Sequence, residues 1–290
     1  MQPANFQTFK LGLIGYPVSH SLSPKIQNAA LKACGLEGEY SLFPIEPDDI
    51  QALKDLLDRV RSGEMTGFNV TIPHKQNVIQ FMDELTPTAQ AIGAVNIIYL
   101  RENRLIGDNT DAAGFLADLK QFLTTEPQSH GDLNALVLGA GGSARSVVYA
   151  LLNDGWNVTI AARRIEQAQQ LASQFESINA MEINFQTFQP FDKLKATPSN
   201  IQLIINTTPL GMTPNIDQSP LPENVSLSKH TRIYDLVYNP RETKLVRDAR
   251  AQGLSATTGL GMLIEQAALG FELWTGHKPP KDILYTSVVE

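Results

Sequence analysis

The chain has 290 residues, of which 42% are hydrophobic and 18% charged, and its formal net charge at pH 7 is −7. This length suits two globular domains, and the acidic balance argues against a general affinity for nucleic acid or for an anionic membrane surface. The single cysteine, Cys34, excludes an internal disulfide and fits a reducing compartment.

The sequence predicts neither a signal peptide nor a membrane-spanning segment. Its first residues lack the basic and apolar regions of a signal peptide. No run of about 18 to 20 apolar residues is present to cross a bilayer. We therefore expect a cytoplasmic protein, a monomer or a homodimer, that binds neither nucleic acid nor membrane.

Strand-like and helix-like segments alternate along the first half of the chain. Short apolar runs predict strands at 10–15, 40–43, 68–72, 96–100 and 104–107, the last two as a hairpin. Capping residues, prolines and apolar spacing predict helices at 24–33, 47–60, 73–85 and 111–122. Ser23 is the expected N-cap of the first helix.

The second half follows the same alternation after a polar stretch at 124–132. This stretch contains Pro127 and Gly131, and it predicts a domain boundary there or in the helix just before it. Strands are predicted at 134–138, 158–161, 201–206 and 232–236, and helices at 142–153, 165–175, 241–251 and 262–274. Alternating strands and helices indicate parallel sheets covered by helices.

A glycine-rich turn between a predicted strand and a predicted helix is the sharpest local signal. Residues 139–144 read Gly-Ala-Gly-Gly-Ser-Ala, which fits the G-x-G-x-x-G/A dinucleotide fingerprint. Gly139 would make the tight turn, and Gly141 would let the backbone approach a pyrophosphate. Ala144 would be the small residue where the helix packs on the strand. The segment formed by Gly139, Ala140, Gly141, Gly142 and Ser143 is therefore a candidate cofactor site.

The end of the next predicted strand indicates which dinucleotide is bound. An NAD-dependent enzyme usually has an acidic residue there for the ribose hydroxyls. This chain has Ala162, Arg163 and Arg164 instead, with no carboxylate before Glu166. A guanidinium group suits a 2′-phosphate, so the pattern favours NADP (NADPH) over NAD. One of the two arginines could equally be a solvated surface residue.

Hydroxyl, amide and charged side chains cluster at predicted turns and strand ends of the first half. Six blocks of the chain resemble the shikimate dehydrogenase family, in the family's order. They read Ser-Leu-Ser-Pro (21–24), Asn-Val-Thr-Ile-Pro-His-Lys (69–75), Gly-Ala-Val-Asn (93–96), Gly-Asp-Asn-Thr-Asp (107–111), Gly-Ala-Gly-Gly (139–142) and Thr-Gly-Leu-Gly-Met-Leu-Ile-Glu-Gln-Ala (258–267).

The resemblance implies a role for each matching residue. The catalytic pair would be Lys75 and Asp111, and the remaining substrate-binding residues would be Ser21, Ser23, Asn69, Thr71, Asn96, Tyr238 and Gln266. Ser21 and Ser23 would bind a carboxylate, and Tyr238 would close on the substrate. Leu236 and Gly259 would line the nicotinamide, and Arg163 would bind the 2′-phosphate. The family's usual Asn-Arg-Thr is Ala162-Arg163-Arg164 here, which keeps the arginine and adds a possible second cation.

The implied reaction is the reversible, NADPH-dependent reduction of 3-dehydroshikimate to shikimate, in the biosynthesis of aromatic amino acids. Reduction of a ketone needs a hydride from the nicotinamide and a proton for the new alkoxide. A lysine can do this if its proton is readily shared near neutral pH. Burial lowers the pKa of a lysine and a nearby aspartate raises it, so the two effects together can tune it. Lys75 alone could be a solvated helix lysine, and Asp111 could also be a helix cap.

We expect a two-domain α/β protein. The resemblance implies a substrate-binding α/β domain with a mostly parallel sheet, formed by residues 1–112 and 257–290, and a Rossmann-type NADP domain at 113–256. The five histidines show no metal-ligand spacing, so no metal is expected.

Three alternatives stay open. The first is a quinate/shikimate dehydrogenase of broader specificity. The second is an enzyme of similar architecture such as a methylenetetrahydrofolate dehydrogenase, which leaves the Ser21 and Ser23 pair unexplained. The third is a non-catalytic NADP-binding sensor, which loss of Lys75 or Asp111 would favour, although both are present.

Overall fold

The computed structural model describes residues 8–124, 133–175, 184–187, 201–221, 225 and 227–289. The strands are β1 Phe9–Gly15, β2 Gly38–Pro44, β3 Gly67–Val70, β4 Glu84–Leu85, β5 Ile97–Arg101, β6 Arg104–Asp108, β7 Asn134–Leu138, β8 Asn157–Ala162, β9 Asn184–Thr187, β10 Leu203–Asn206, β11 Arg232–Asp235 and β12 Ala256–Thr258. The α-helices are α1 Ser23–Ala33, α2 Ile50–Arg61, α3 Pro87–Ile92, α4 Asp111–Thr124, α5 Gly142–Asn153, α6 Ile165–Phe175, α7 Lys244–Ala251, α8 Leu260–Thr275 and α9 Lys281–Val289. A short 3₁₀ helix covers Asn77–Phe81.

The chain divides into two compact units. The first comprises Met1–Gly114 and Ile264–Glu290, and the second comprises Phe115–Leu263. Each unit contains a six-stranded sheet. Within the described residues, no helix combines the length and the apolar character needed to cross a membrane.

The sheet of the first unit has the order β2-β1-β3-β5-β6-β4. β1 pairs in parallel with both β2 and β3, and β4 pairs in parallel with β6. β5 supplies the two antiparallel pairings, with β3 and with β6, and the β5–β6 hairpin is the one predicted from the strands at 96–100 and 104–107. The mostly parallel sheet expected from the sequence is therefore confirmed.

Alternating side chains of the first sheet build two apolar layers, one on each face. Ile14 and Phe68 belong to the layer that packs against the apolar face of α2. The other layer contains Leu13, Tyr40 and Trp274 of α8. The Trp274 indole N–H donates to the Ile98 carbonyl at 3.0 Å, which fastens α8 to the sheet.

The second sheet is entirely parallel and has the order β12-β11-β10-β7-β8-β9. Read from the other edge this is the 3-2-1-4-5-6 order of a Rossmann fold, with the change of direction between β7 and β10. Ligands bind outside the carboxyl ends of the strands at such a point. The predicted fold class, α/β with a Rossmann-type sheet, is confirmed.

Several local predictions were wrong. The helix predicted at 73–85 is a turn, the Asn77–Phe81 3₁₀ helix and the short strand β4. Asp83 explains the difference, because its N–H donates to the Leu105 carbonyl and its carboxylate accepts from the Leu105 N–H. These bonds to β6 hold the chain extended where a helix was expected.

Two predicted helix starts also differ. α1 begins at Ser23, and the residue at the N-cap position is Leu22, with no side-chain cap. Ser21 Oγ instead accepts from the Ser23 N–H at 3.2 Å. The helix predicted from 241 begins at Lys244, because Thr243 caps it by accepting from the Val246 N–H.

Candidate active site

Lys75 and Asp111 form a buried ion pair in the first unit. The Lys75 Nζ and Asp111 Oδ2 atoms lie 2.5 Å apart, and the two side chains are 10% and 7% exposed. Lys75 follows the end of β3, and its carbonyl accepts from the Val95 N–H at 2.8 Å, which fixes the turn. Asp111 opens α4, and the cap of that helix comes from Asn109, whose Oδ1 accepts from the Ala112 N–H. The carboxylate of Asp111 is therefore available to Lys75.

Asn96 connects this pair to its surroundings. Its Nδ2 donates to Asp111 Oδ1 at 2.8 Å and to Thr110 Oγ1 at 3.0 Å, and its Oδ1 accepts from the Thr110 N–H at 2.8 Å. Gln266 Oε1 lies 3.4 Å from the same Nδ2 atom. Each oxygen of the Asp111 carboxylate thus has a donor, and Asn96 fixes its plane.

The remaining predicted substrate residues of the first unit lie at neighbouring strand and helix ends. Asn69 is buried near the end of β3, and Thr71 follows that strand half-buried. A Cβ atom on Gly15, the last residue of β1, would lie 2.3 Å from Thr71 Cγ2, so glycine at this position lets Thr71 approach the end of β1 closely. Ser21 and Ser23 lie at the start of α1, joined by the bond described above.

His74 was given no role from sequence, and the structure shows what it contacts. It is fully buried, and its Nε2 lies 2.8 Å from the Ile45 carbonyl oxygen. Because a carbonyl oxygen only accepts, Nε2 is the donor in this contact. His74 therefore fastens the turn that carries Thr71 and Lys75 to the segment after β2.

The glycine fingerprint of the second unit has the strand–turn–helix context that the sequence predicts. Gly139 has φ +116°, and a Cβ there would lie 2.5 Å from Thr207 Oγ1. At Gly141 an added Cβ would meet no atom within 4 Å, and this residue stands at the N-cap of α5 without a side-chain cap. Ala144 is fully buried, as expected where the helix meets the strand.

These features fit a dinucleotide. The start of α5 offers backbone N–H groups and the positive end of the helix dipole, next to open space above Gly141. Ser143 is half-buried in its first turn. Arg163 and Arg164 follow β8 with exposed side chains, and neither forms an ion pair within the part of the chain that the structure describes. The residues present are those that a phosphorylated dinucleotide requires.

The other three predicted residues of the second unit lie after β11 and β12. The Leu236 N–H donates to the Asn206 carbonyl at 2.9 Å. A Cβ on Gly259 would lie 2.3 Å from the Leu236 carbonyl oxygen, so the two segments are in close backbone contact. Tyr238 is half-buried and belongs to this unit, whereas the other predicted substrate residues belong to the first.

A buried polar network at the ends of β10 and β11 was not found from sequence. Asp235 accepts from Asn206 Nδ2 at 2.8 Å, Thr243 Oγ1 at 2.6 Å and the Val237 N–H at 3.0 Å. Burial raises the pKa of Asp235 to about 6, against the lowering effect of these hydrogen bonds. The available signal was a polar residue at or next to the end of each of two predicted strands, Asn206 of 201–206 and Asp235 of 232–236.

No group of three or more metal-ligating side chains occurs among the described residues. Two α/β units, one with a dinucleotide fingerprint and one with a buried lysine–aspartate pair, define a class: oxidoreductases that use a nicotinamide dinucleotide.

Comparison with known proteins gives the family. Residues 13–98 match the model of the shikimate dehydrogenase substrate binding domain, 123–244 that of shikimate / quinate 5-dehydrogenase, and 259–288 that of the shikimate 5′-dehydrogenase C-terminal domain. The shikimate dehydrogenase (NADP(+)) of Methanocaldococcus jannaschii is 38% identical over 99% of this chain and 98% of that protein. The corresponding protein of Bacillus licheniformis is 40% identical over 96% of each.

Solved structures agree with the sequence comparison. The crystal structure of shikimate 5-dehydrogenase from Thermus thermophilus in complex with NADP(H) and shikimate has a TM-score of 0.81 and 36% identity, over 96% of this chain and 98% of that one. The chain belongs to the shikimate dehydrogenase family.

Proposed function

We propose that the protein catalyses the reversible, NADPH-dependent reduction of 3-dehydroshikimate to shikimate, a step of aromatic amino acid biosynthesis. The observation that carries this proposal is the buried Lys75–Asp111 pair, surrounded by amide and hydroxyl groups, in a member of this family. A fixed ammonium group beside polar side chains suits a small substrate that bears a ketone and several hydroxyls.

Lys75 performs the proton transfer. In the direction of reduction the Lys75 ammonium group gives one proton to the ketone oxygen as the carbon–oxygen double bond becomes single. In the reverse direction the neutral amine takes the hydroxyl proton. Asp111 orients the Nζ atom by accepting a hydrogen bond at its Oδ2. NADPH, when bound, supplies the hydride that the carbonyl carbon receives.

The polar residues around the pair hold the substrate. The hydroxyls of Ser21 and Ser23 at the start of α1 bind its carboxylate. Amide and hydroxyl groups bind the ring hydroxyls, and they come from Asn69, Thr71, Asn96 and Gln266. Sites that hydrogen-bond hydroxyls reject analogues lacking them, because buried polar groups are then left unpaired.

The cofactor residues lie in the second unit. Backbone N–H groups of Gly139 to Ser143 hold the pyrophosphate, and Arg163 binds the 2′-phosphate, with Arg164 as a second cation. Leu236 and Gly259 border the nicotinamide. Tyr238 stays a predicted substrate contact.

The test is the absorbance of reduced nicotinamide in four mixtures: shikimate with NADP, shikimate with NAD, quinate with NADP, and quinate with NAD. The proposal predicts rapid reduction in the first mixture and much slower reduction in the others. Comparable rates with quinate or with NAD would instead support the enzyme of broader specificity. No reduction in any mixture would reject the dehydrogenase and favour an NADP-binding sensor.

A further inference from the structure

Behind the proposed substrate site, a buried phenol contacts one of its amides. Tyr40 lies on β2 and is 3% exposed, and Asn69 lies on β3 and is 6% exposed. The Tyr40 hydroxyl and Asn69 Oδ1 are 2.7 Å apart. Nothing in the proposed reaction uses Tyr40 directly.

The partners of Asn69 determine how its amide is oriented. Asn69 Nδ2 lies 3.2 Å from the Asn96 carbonyl oxygen, which can only accept a hydrogen bond. The amide nitrogen must therefore face Asn96, and the amide oxygen must face Tyr40. The Tyr40 hydroxyl is then the donor, and within the described residues it is the one donor that Asn69 Oδ1 has.

The same contacts lead to the catalytic pair. The Asn96 carbonyl also accepts from the Val70 N–H at 2.8 Å, so the Asn96 main chain is held from two sides. The Asn96 side chain in turn donates to Asp111 Oδ1 at 2.8 Å. A continuous series of buried hydrogen bonds thus runs from Tyr40 through Asn69 and Asn96 to Asp111.

We propose that Tyr40 is a positioning residue for substrate binding, which acts by holding the Asn69 amide with its N–H group towards Asn96 and the polar side chains of the site. This inference rests on the proposed function, since it concerns the binding of shikimate. Without the Tyr40 hydroxyl, Asn69 Oδ1 is a buried acceptor without a donor, and such a group turns towards another donor. Substrate binding must then return the Asn69 amide to its original orientation, and the free energy that this requires weakens the affinity for substrate.

The Tyr40 ring is held independently of its hydroxyl. Its centroid lies 6.4 Å from that of Trp274 with an interplanar angle of 54°, and it belongs to the apolar layer with Leu11 and Leu13. Replacement by phenylalanine keeps these contacts. The Tyr40→Phe variant therefore removes the hydrogen bond to Asn69 Oδ1 with little change in packing.

The test measures the dissociation constant of shikimate by calorimetry, without NADP, for wild type, Tyr40→Phe and Tyr99→Phe. Tyr99 is a matched control, because it is buried in the same layer and its hydroxyl has no hydrogen bond with the described part of the chain. We expect the dissociation constant to rise about tenfold in Tyr40→Phe and to stay unchanged in Tyr99→Phe. The KM for shikimate should rise with it, while kcat changes less than about threefold.

A double-mutant cycle with Asn69→Ala tests whether the hydroxyl of Tyr40 affects substrate binding through Asn69. Asn69→Ala alone should weaken shikimate binding at least as much as Tyr40→Phe, and adding Tyr40→Phe to it should have no further effect. Additive effects, or wild-type affinity in either single variant, would overturn the inference. Wild-type protein that fails to bind shikimate would instead remove the proposed function on which the inference rests.

Discussion

Because the Lys75–Asp111 ion pair is buried, each of its two side chains affects the stability of the fold. Both are almost wholly removed from solvent, and their charges compensate each other across 2.5 Å. Removal of one member leaves the other buried without this counter-charge, which is destabilising. Variants of this pair therefore need a measurement of folding beside any measurement of activity.

Asp235 is a buried acid without a cation partner among the described residues. The free energy of unfolding should therefore change with pH as this carboxyl group titrates. Burial raises its pKa from 3.8 to about 6. Because the folded pKa lies above the unfolded one, its contribution to stability is fully present below about pH 4 and is lost as the pH rises through about 6. The loss amounts to about 3 kcal/mol, at about 1.4 kcal/mol for each pKa unit.

An Asp235→Asn variant isolates this contribution, because the asparagine does not titrate. Urea unfolding of both proteins across this pH range gives the difference between their free energies of unfolding. We predict that the wild type loses stability relative to the variant as the pH rises from about 4 through about 6, and that the difference becomes constant above about pH 7. A difference that does not change with pH would contradict the assignment.

The turn between β7 and α5 shows at the scale of an element how two glycines serve different purposes. Gly139 is required by the fold, since its φ is +116° and a Cβ there would lie 2.5 Å from Thr207 Oγ1. Gly141 has an ordinary φ of −85° and open space around it. The structure of the apoprotein does not need glycine at 141, whereas a pyrophosphate approaching the backbone does.

Alanine variants should separate these two roles. Gly139→Ala should lower the free energy of unfolding by about 1 to 3 kcal/mol. Gly141→Ala should leave stability within about 0.5 kcal/mol of wild type and yet weaken NADPH binding by at least about tenfold. Urea unfolding and NADPH fluorescence titration provide the two measurements. Wild-type affinity for NADPH in Gly141→Ala would show that the turn does not hold the pyrophosphate.

The elements with a clear pattern of their own were predictable from sequence. α6 occupies 165–175 as predicted, and the β5–β6 hairpin lies within one residue of its predicted strands. The two-residue strand β4 and the three-residue strand β12 have no pattern to detect, because pairing with β6 and β11 makes them strands. The helix predicted at 73–85 failed for the same reason.

The candidate site was predictable only where its residues are close in sequence. The fingerprint at 139–144 and the block at 69–75 are local signals. The Tyr40–Asn69 and Asn206–Asp235 hydrogen bonds each join residues 29 positions apart, on different strands. Such pairs depend on the order of the strands, in which β1 lies between β2 and β3 and β10 lies next to β11, and no local sequence pattern encodes that order.

At the scale of the whole molecule, each unit has its own sheet and its own buried core. The second unit is one continuous segment, Phe115–Leu263, and its core includes Leu136, Ile204 and Ile233. The first unit needs two separated segments of the chain. A continuous segment with its own core can in principle fold alone.

A fragment of residues 115–263 should therefore unfold cooperatively in urea and bind NADPH. We predict an affinity within about tenfold of that of the full chain, because all the proposed phosphate-binding residues lie in this segment. The same fragment with Gly141→Ala is the control and should bind more weakly. A fragment without a cooperative transition would contradict the independence of this unit.

The proposed activity is the oxidation of shikimate with NADP, in which Lys75 transfers the proton. The most direct measurement is the initial rate of NADP reduction by shikimate for wild type, Lys75→Ala and Lys32→Ala, with Lys32 as an exposed helix lysine of the same unit. We expect fast reduction by wild type and by Lys32→Ala, and a loss of at least about a hundredfold in a folded Lys75→Ala variant. No reduction by wild type, or an equal rate in Lys75→Ala, would contradict this proposal.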